Sequence, residues 1–446
     1  MVWIDARAPH ACEVVEPLRP LQPAASGQRQ VPASPDSDEA LRAVVRWALD
    51  LPGRSSDRLA TATPPEAGER EKLVDFYAER WPRYRTAVLW KWFRNLVGDN
   101  PRAPARAGPE ASEDTMAGDW PTARSSLSAD YLRALYAWPD RLAVRYSDSY
   151  RSAFILCFLL AALAVGFALL PLAWGWLHHG RHAVEATCAA LEIVTILTVL
   201  ALVFEGRRRR FHARSIDYRM MAEMMRHLRL VAPLGGGPPF PQLPAHWKTY
   251  GQPGTTWVAW YVRAVERAMG LPNAVMDKDH LNRSLTHLRD SVSAQIDYHA
   301  VNAQRCGLIE HRLHLWGLWL FALTLVACGI HLLPHIAHMV ASPVLSAWLT
   351  ILCGFLPAVG ASLAGINNQG EFRRVARRSE AMREHLGLLL QQIDDLRHQV
   401  AHAPEQARPQ FSGLASALAD DTARLMVNEV LDWRVVFLDR PLNPPA

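Results

Sequence analysis

The chain has almost no lysine. Of its 48 basic residues only Lys72, Lys91, Lys248 and Lys278 are lysines, and arginine supplies the rest. That bias fits a GC-rich, bacterial genome. The formal charge of +5 is too small to imply a nucleic-acid partner. The first thirty residues hold no apolar leader core, so no cleaved signal is expected and the first apolar run serves as its own insertion signal. The cysteines form no CxxC pair. Cys157, Cys188, Cys328 and Cys353 lie inside apolar runs, where small buried thiols are the plain reading. There is no zinc motif, dinucleotide fingerprint or spaced nucleophile–base pair, so nothing points to a catalytic residue, a cofactor or a bound metal. Gly235-Gly236-Gly237 lacks the Lys-Ser/Thr and the strand context of a phosphate loop and reads as a spacer.

What the chain does have is four long apolar runs. Residues 153–174 and 344–366 carry no charge, 183–204 carry only Glu185 and Glu192, and 313–333 have a histidine near their start. About 20 apolar residues cross a hydrocarbon core of ~30 Å. Four runs in two close pairs predict an all-α membrane protein with two transmembrane hairpins. Arg141, Arg145 and Arg151 precede the first run, and Arg207, Arg208, Arg209 and Arg210 follow the second. Arg305 and Arg312 precede the third; Arg373, Arg374, Arg377 and Arg378 follow the fourth. The two short loops hold only Arg181. This bias places both termini and the middle segment in the cytoplasm of a multi-pass inner-membrane protein. Trp174, Trp176, Trp316, Trp319 and Trp348 sit near run ends, as an interfacial belt would.

The remainder divides as follows. Residues 1–68 are a Pro/Ala-rich linker or disordered, with a helix over 38–51 and a strand-like Val2-Trp3-Ile4-Asp5 that has nothing to pair with. Residues 69–128 hold an aromatic-rich helical segment broken near Pro82, its apolar face turned to a core or to a membrane surface, and then linker from 97 to 127. Residues 129–231 are the first hairpin with an amphipathic helix, 232–276 a linker and short helix, and 277–446 the second hairpin with its cytoplasmic stalks. In that last part Phe372, Val375, Ser379, Met382, Leu386, Leu389, Ile393, Leu396 and Val400 step by three and four, an a/d seam that suits a homo-oligomer. Leu281, Leu285, Leu288 and Val292 begin a similar seam. No proline falls between Asn273 and Pro334, so that stalk can run straight into the membrane.

Candidate functional residues follow from the runs. Glu192 lies mid-span, where an acid costs about 2.5–3.5 kcal/mol. It lines a pore or proton path, with Glu185 and Thr195 beside it, or it is a protonated acid bonded to a neighbouring helix. Gly354, Ala358 and Ser362, and Gly360, Ala364 and Asn368, are spaced by four, as close helix packing requires. Asn367 and Asn368 mark the inner mouth. Arg207 to Arg210, Arg373 and Arg374 are placed to contact anionic headgroups, and the first cluster continues through Arg214, Arg219, Arg226 and Arg229. His178, His179, His182, His331, His335 and His338 read as a solvated rim of the short loops rather than a metal site.

The second half resembles a known family. Gln295-Ile296-Asp297-Tyr298-His299, Glu310-His311-Arg312, Glu371-Phe372-Arg373-Arg374 and Glu429-Val430-Leu431-Asp432-Trp433-Arg434 make residues 295–437 similar to SLATT domains. These are two-helix membrane effectors found beside nucleotide-second-messenger synthases and sensors in bacterial conflict systems. The resemblance implies a pore-forming inner-membrane effector in antiviral defence, answering to a nucleotide-sensing partner. The alternative is a membrane-anchored scaffold whose stalks dock partners without conduction.

Overall fold

The computed structural model describes residues 2–4, 12–14, 67–80, 87–98, 126–177, 181–237, 256–269, 276–336, 342–404, 408–438 and 442–445. Among these residues two short strands, β1 (Val2–Ile4) and β2 (Cys12–Val14), precede ten α-helices. These are α1 (Ala67–Ala78), α2 (Val88–Phe93, continued by a π-helical turn), α3 (Ser126–Leu177), α4 (Arg181–Arg208) and α5 (Phe211–Val231). Then come α6 (Trp257–Met269), α7 (Lys278–Ile336), α8 (Pro343–Gly370), α9 (Phe372–His402) and α10 (Arg408–Leu438). The N-terminal strand does find a partner. β1 pairs antiparallel with β2, Val2 opposite Val14 and Ile4 opposite Cys12, so each strand supplies hydrogen-bond partners to the other's backbone. The helix expected over 38–51, most of the 97–127 linker and the spacer beyond Gly237 lie outside the described residues.

Helices α3, α4, α7 and α8 are long and apolar enough to cross a membrane. α3 (52 residues) and α7 (59 residues) each join a polar first part to an apolar second part without interruption. α4 and α8, of 28 residues each, return along them. α4 packs on α3, α3 also packs on α8, and α8 packs on α7. The apolar helices therefore form an open row in the order α4, α3, α8, α7.

The two hairpins are repeats of one plan. Each return helix ends on a residue in the left-handed region, Arg210 (φ 53°) and Glu371 (φ 50°), the two such non-glycine residues among those described. The hydrogen bonding matches as well. Arg210 N donates to Arg207 O at 3.0 Å and Glu371 N to Asn368 O at 3.4 Å, while the residues four further on, Arg214 and Val375, donate back to them at 2.9 Å. A left-handed conformation costs an L-residue roughly 1–2 kcal/mol. What offsets it follows at once. Phe211 and Phe372 start the next helix and are buried, against Tyr146 (6.0 Å) and Trp90 (6.2 Å, stacked). The spacing from Arg210 to Glu371 also carries Arg151 onto Arg312, Met221 onto Met382 and Met225 onto Leu386, and these Met and Leu side chains are all buried.

Outside the apolar row the helices share one core. α5 lies at its centre, packed on α3, α6 and α10. Met220, Met221, Met224, Met225 and Leu228 are buried there, and Ala415, Ala419 and Ala423 of α10 are fully enclosed. Within the aromatic segment of 69–96, α1 faces this core, with Phe76 5.3–5.5 Å from the rings of Tyr218, Trp257 and Tyr261, whereas α2 and its π-helical continuation bury Trp90 and Phe93 but leave Val88, Trp92 and Leu96 exposed. The a/d seam of α9 is filled within the chain. Leu386, Ile393, Leu396 and Val400 are buried where α9 packs on α7, as are Leu281, Leu285, Leu288 and Val292 of α7; Leu389 is half-buried. Burying each such side chain contributes about 1.5–3 kcal/mol. Asn302 to Ser379 (2.8 Å) and Arg289 to Asp394 (2.8 Å) fix the register of α9 on α7.

Candidate functional site

Glu192 sits on the side of α4 that meets α3, with Cys188, Thr195, Val199 and Val203 buried on the same side. It is half-buried and makes no hydrogen bond among the described residues, while Ile193, Val194, Ile196 and Leu197 around it are exposed. Thr195, expected beside a pore, is buried and donates to Leu191 O of its own helix at 2.7 Å. Its hydroxyl proton is committed to that bond. Glu185 is exposed near the start of α4.

Asn367 and Asn368 belong to another place. They line an open groove of about 780 Å³ between α7 and α8, with Glu310, His314, Phe321 and Arg373. Gly317 and Gly360 also line the groove, and Asn367 Oδ1 is buried with no hydrogen-bond partner among the described residues. α4 packs on α3 and the groove lies between α7 and α8, so one chain does not bring Glu192 and the asparagines together.

The small residues of α8 serve two neighbours. A methyl group at Gly354 would come within 2.7 Å of Leu169 of α3, and one at Gly365 would collide with Phe158. Ser362 Oγ donates to Phe158 O at 2.8 Å, and Gln369 Nε2 to the Tyr150 hydroxyl at 2.7 Å. Gly360 instead faces Phe321 of α7, 3.5 Å from where a Cβ would stand. Ala358 is half-buried and Ala364 exposed. Gly365 and Gln369 are not among the residues that spacing by four selects from Gly354 or Gly360.

The arginines divide. Arg208, Arg373 and Arg374 are exposed. Arg207 is tied to the C-terminal segment, Nε donating to Leu442 O at 3.0 Å and a guanidinium nitrogen to Asn443. Arg209 pairs with Glu205, Arg210 forms the left-handed break, and Arg374 reaches Glu371 at 3.9 Å. The continuation of the cluster along α5 is not a lipid-facing surface, because α5 is wrapped by three helices. Arg214 bonds Glu79 at 2.6 Å and Asp75 at 3.3 Å, and Tyr146 and Tyr218 each donate to Glu79 at 2.8 Å. Arg219 and Arg226 hold Glu223 at 2.7 and 3.1 Å, Arg219 also reaches Asp140 at 3.5 Å, and Arg226 donates to the Tyr136 hydroxyl at 2.6 Å. The Glu223 pairs, three and four residues from their arginines, were readable as helix-face ion pairs. Glu79 is 135 residues from Arg214, and no local pattern joins them.

Comparison of the chain with protein-family models, with curated proteins and with solved structures returned no match.

Proposed function

We propose that the chain is a multi-pass membrane protein that assembles in several copies and permeabilises the bilayer. Glu192 is the observation that carries the reading. It is an unpaired, half-buried acid in a helix whose surrounding side chains suit lipid. Left against lipid it costs about 2.5–3.5 kcal/mol, a cost removed where assembled copies admit water to it. One chain encloses no channel, since its apolar helices form an open row, so the reading requires several copies. The basic residues flanking the apolar runs support a topology with the shared helical core in the cytoplasm, the short loops outside, and Arg208, Arg373 and Arg374 at anionic headgroups. The SLATT resemblance adds an inner-membrane setting in a nucleotide-signal or antiviral conflict system, with a nucleotide-sensing protein as the activating partner. The scaffold alternative depends on stalks that dock partners. It is weakened because the α9 seam is already occupied by α7.

The test is ion and dye release from liposomes holding wild type or Glu192→Gln at matched protein density. Wild type should release cations in preference to anions, and the variant should lose that preference. No release from wild type with its activating partner supplied would sink the effector reading. Equal, equally selective release from both would keep the pore and remove Glu192 from its lining.

A further inference from the structure

The two repeats meet in a way that leaves half a joint unused at each edge of the row. The long helix of the first repeat, α3, packs on the return helix of the second, α8, through Phe158 on Gly365, Leu169 on Gly354, and the Ser362 and Gln369 hydrogen bonds. If a two-fold axis related the repeats, α7 would make the same joint with α4 of its own chain and close a four-helix bundle. Instead α4 packs on α3, and α7 on α8 and α9. The relation is therefore head to tail, and a head-to-tail contact between unlike surfaces repeats into a ring or an open chain.

The repeat spacing says which residues form the unused halves. The α8 residues Gly354, Ala358 and Gly365 correspond to Ile193, Leu197 and Phe204 of α4. Phe158, Ala162 and Leu169 of α3 correspond to Trp319, Leu323 and Ile330 of α7. All six counterparts are large and exposed, from 44% at Ile330 to 68% at Trp319. We propose that α4 of one copy docks on α7 of the next, with Phe204 opposite Trp319 and Ile193 opposite Ile330. The occupant is a second copy of this chain, because the contact continues a joint that the chain already makes within itself. The inference rests on the membrane reading above and names its assembly surfaces. The joint between copies is the looser one. Large side chains replace glycines, and Ala201 stands where Ser362 makes its hydrogen bond, so the helix axes lie further apart.

Two differently tagged full-length copies, one isotopically heavy, are expressed together, with a photoreactive phenylalanine analogue replacing Phe204 in one. Irradiated membranes should yield a dimer carrying both tags, its adduct mapping to the other copy's α7 around Trp319. The probe at Trp319 should map reciprocally to α4. An independent arm pairs Ile193→Cys in one copy with Ile330→Cys in the other and looks for a disulfide-linked heterodimer above the wild-type background. Adducts to lipid alone in both photo-arms, with no disulfide, would overturn the proposal. So would Phe204 adducts mapping to α4 of the second copy, the mark of a two-fold contact. Cross-links without liposome release would keep this interface and sink the effector reading; release without cross-links would do the reverse.

Discussion

Glu223 is 4% exposed and lies among Arg219, Arg226 and His227. Burial alone would raise its pKa, but the two guanidiniums outweigh burial and hold the carboxyl well below the usual carboxylate range. The neighbouring histidines shift in the opposite sense to an ion-paired one. Burial, with Arg229 close by, pushes His287 down to about 3, and burial pushes His299 down to about 4. Both are neutral in the fold at neutral pH. Unfolded histidine titrates near 6.5, so between about pH 6.5 and those lowered values the unfolded chain binds more protons. The histidine contribution to stability is therefore complete above about pH 6.5 and is lost as pH falls toward 4. Thermal unfolding of the solubilised protein, followed by circular dichroism, should shift to lower temperature between pH 7.5 and pH 5, and less so in His287→Leu. An unshifted wild-type midpoint would contradict the buried neutral state.

At the scale of elements, the packed pair α7 and α9 shows why a heptad pattern does not name its partner. The seam residues of α9 are buried as periodicity demands, yet the facing side chains belong to the same chain. Leu386 is fully enclosed in that seam. Leu386→Asp would bury an unpaired carboxylate and leave a gap, at a cost of several kcal/mol. The expected outcome is loss of helical signal and of stability, with the subunit mass unchanged in detergent. A variant that keeps full helicity and changes only its oligomeric mass would show that the seam joins copies. The breaks before α5 and α9 follow the same logic of long-range control. Neither Arg210 nor Glu371 favours the left-handed region, and each is held there by the phenylalanine that follows it.

For the whole molecule, the topology proposed above puts the short loops on one side of the bilayer and the shared helical core on the other. His182 at the start of α4 and Arg283 on the polar part of α7 are both exposed and lie at opposite ends. In whole cells a membrane-impermeant thiol reagent should modify His182→Cys and should reach Arg283→Cys only after permeabilisation. Modification of Arg283→Cys in intact cells would reverse or abolish the two-hairpin topology.

Read by itself, the sequence determined the helices that local composition controls. These are the four apolar spans, the continuity of α7 through its stalk, and the seam positions of α9. Each depends only on residues within a few turns of one another, where apolar run length and side-chain period decide the outcome. What the tertiary structure alone decided is who faces whom. It turned α5 from a basic surface helix into the centre of the core, because Glu79, Asp75 and Tyr146 arrive from distant segments to meet Arg214. It set α9 against α7 within one chain, put Glu192 on the α3–α4 seam away from Asn367 and Asn368, and left the two hairpins joined head to tail. A periodic pattern specifies a buried face but carries no address for what covers it. That address is written in the fit between segments far apart in the chain, and it exists only once they have packed.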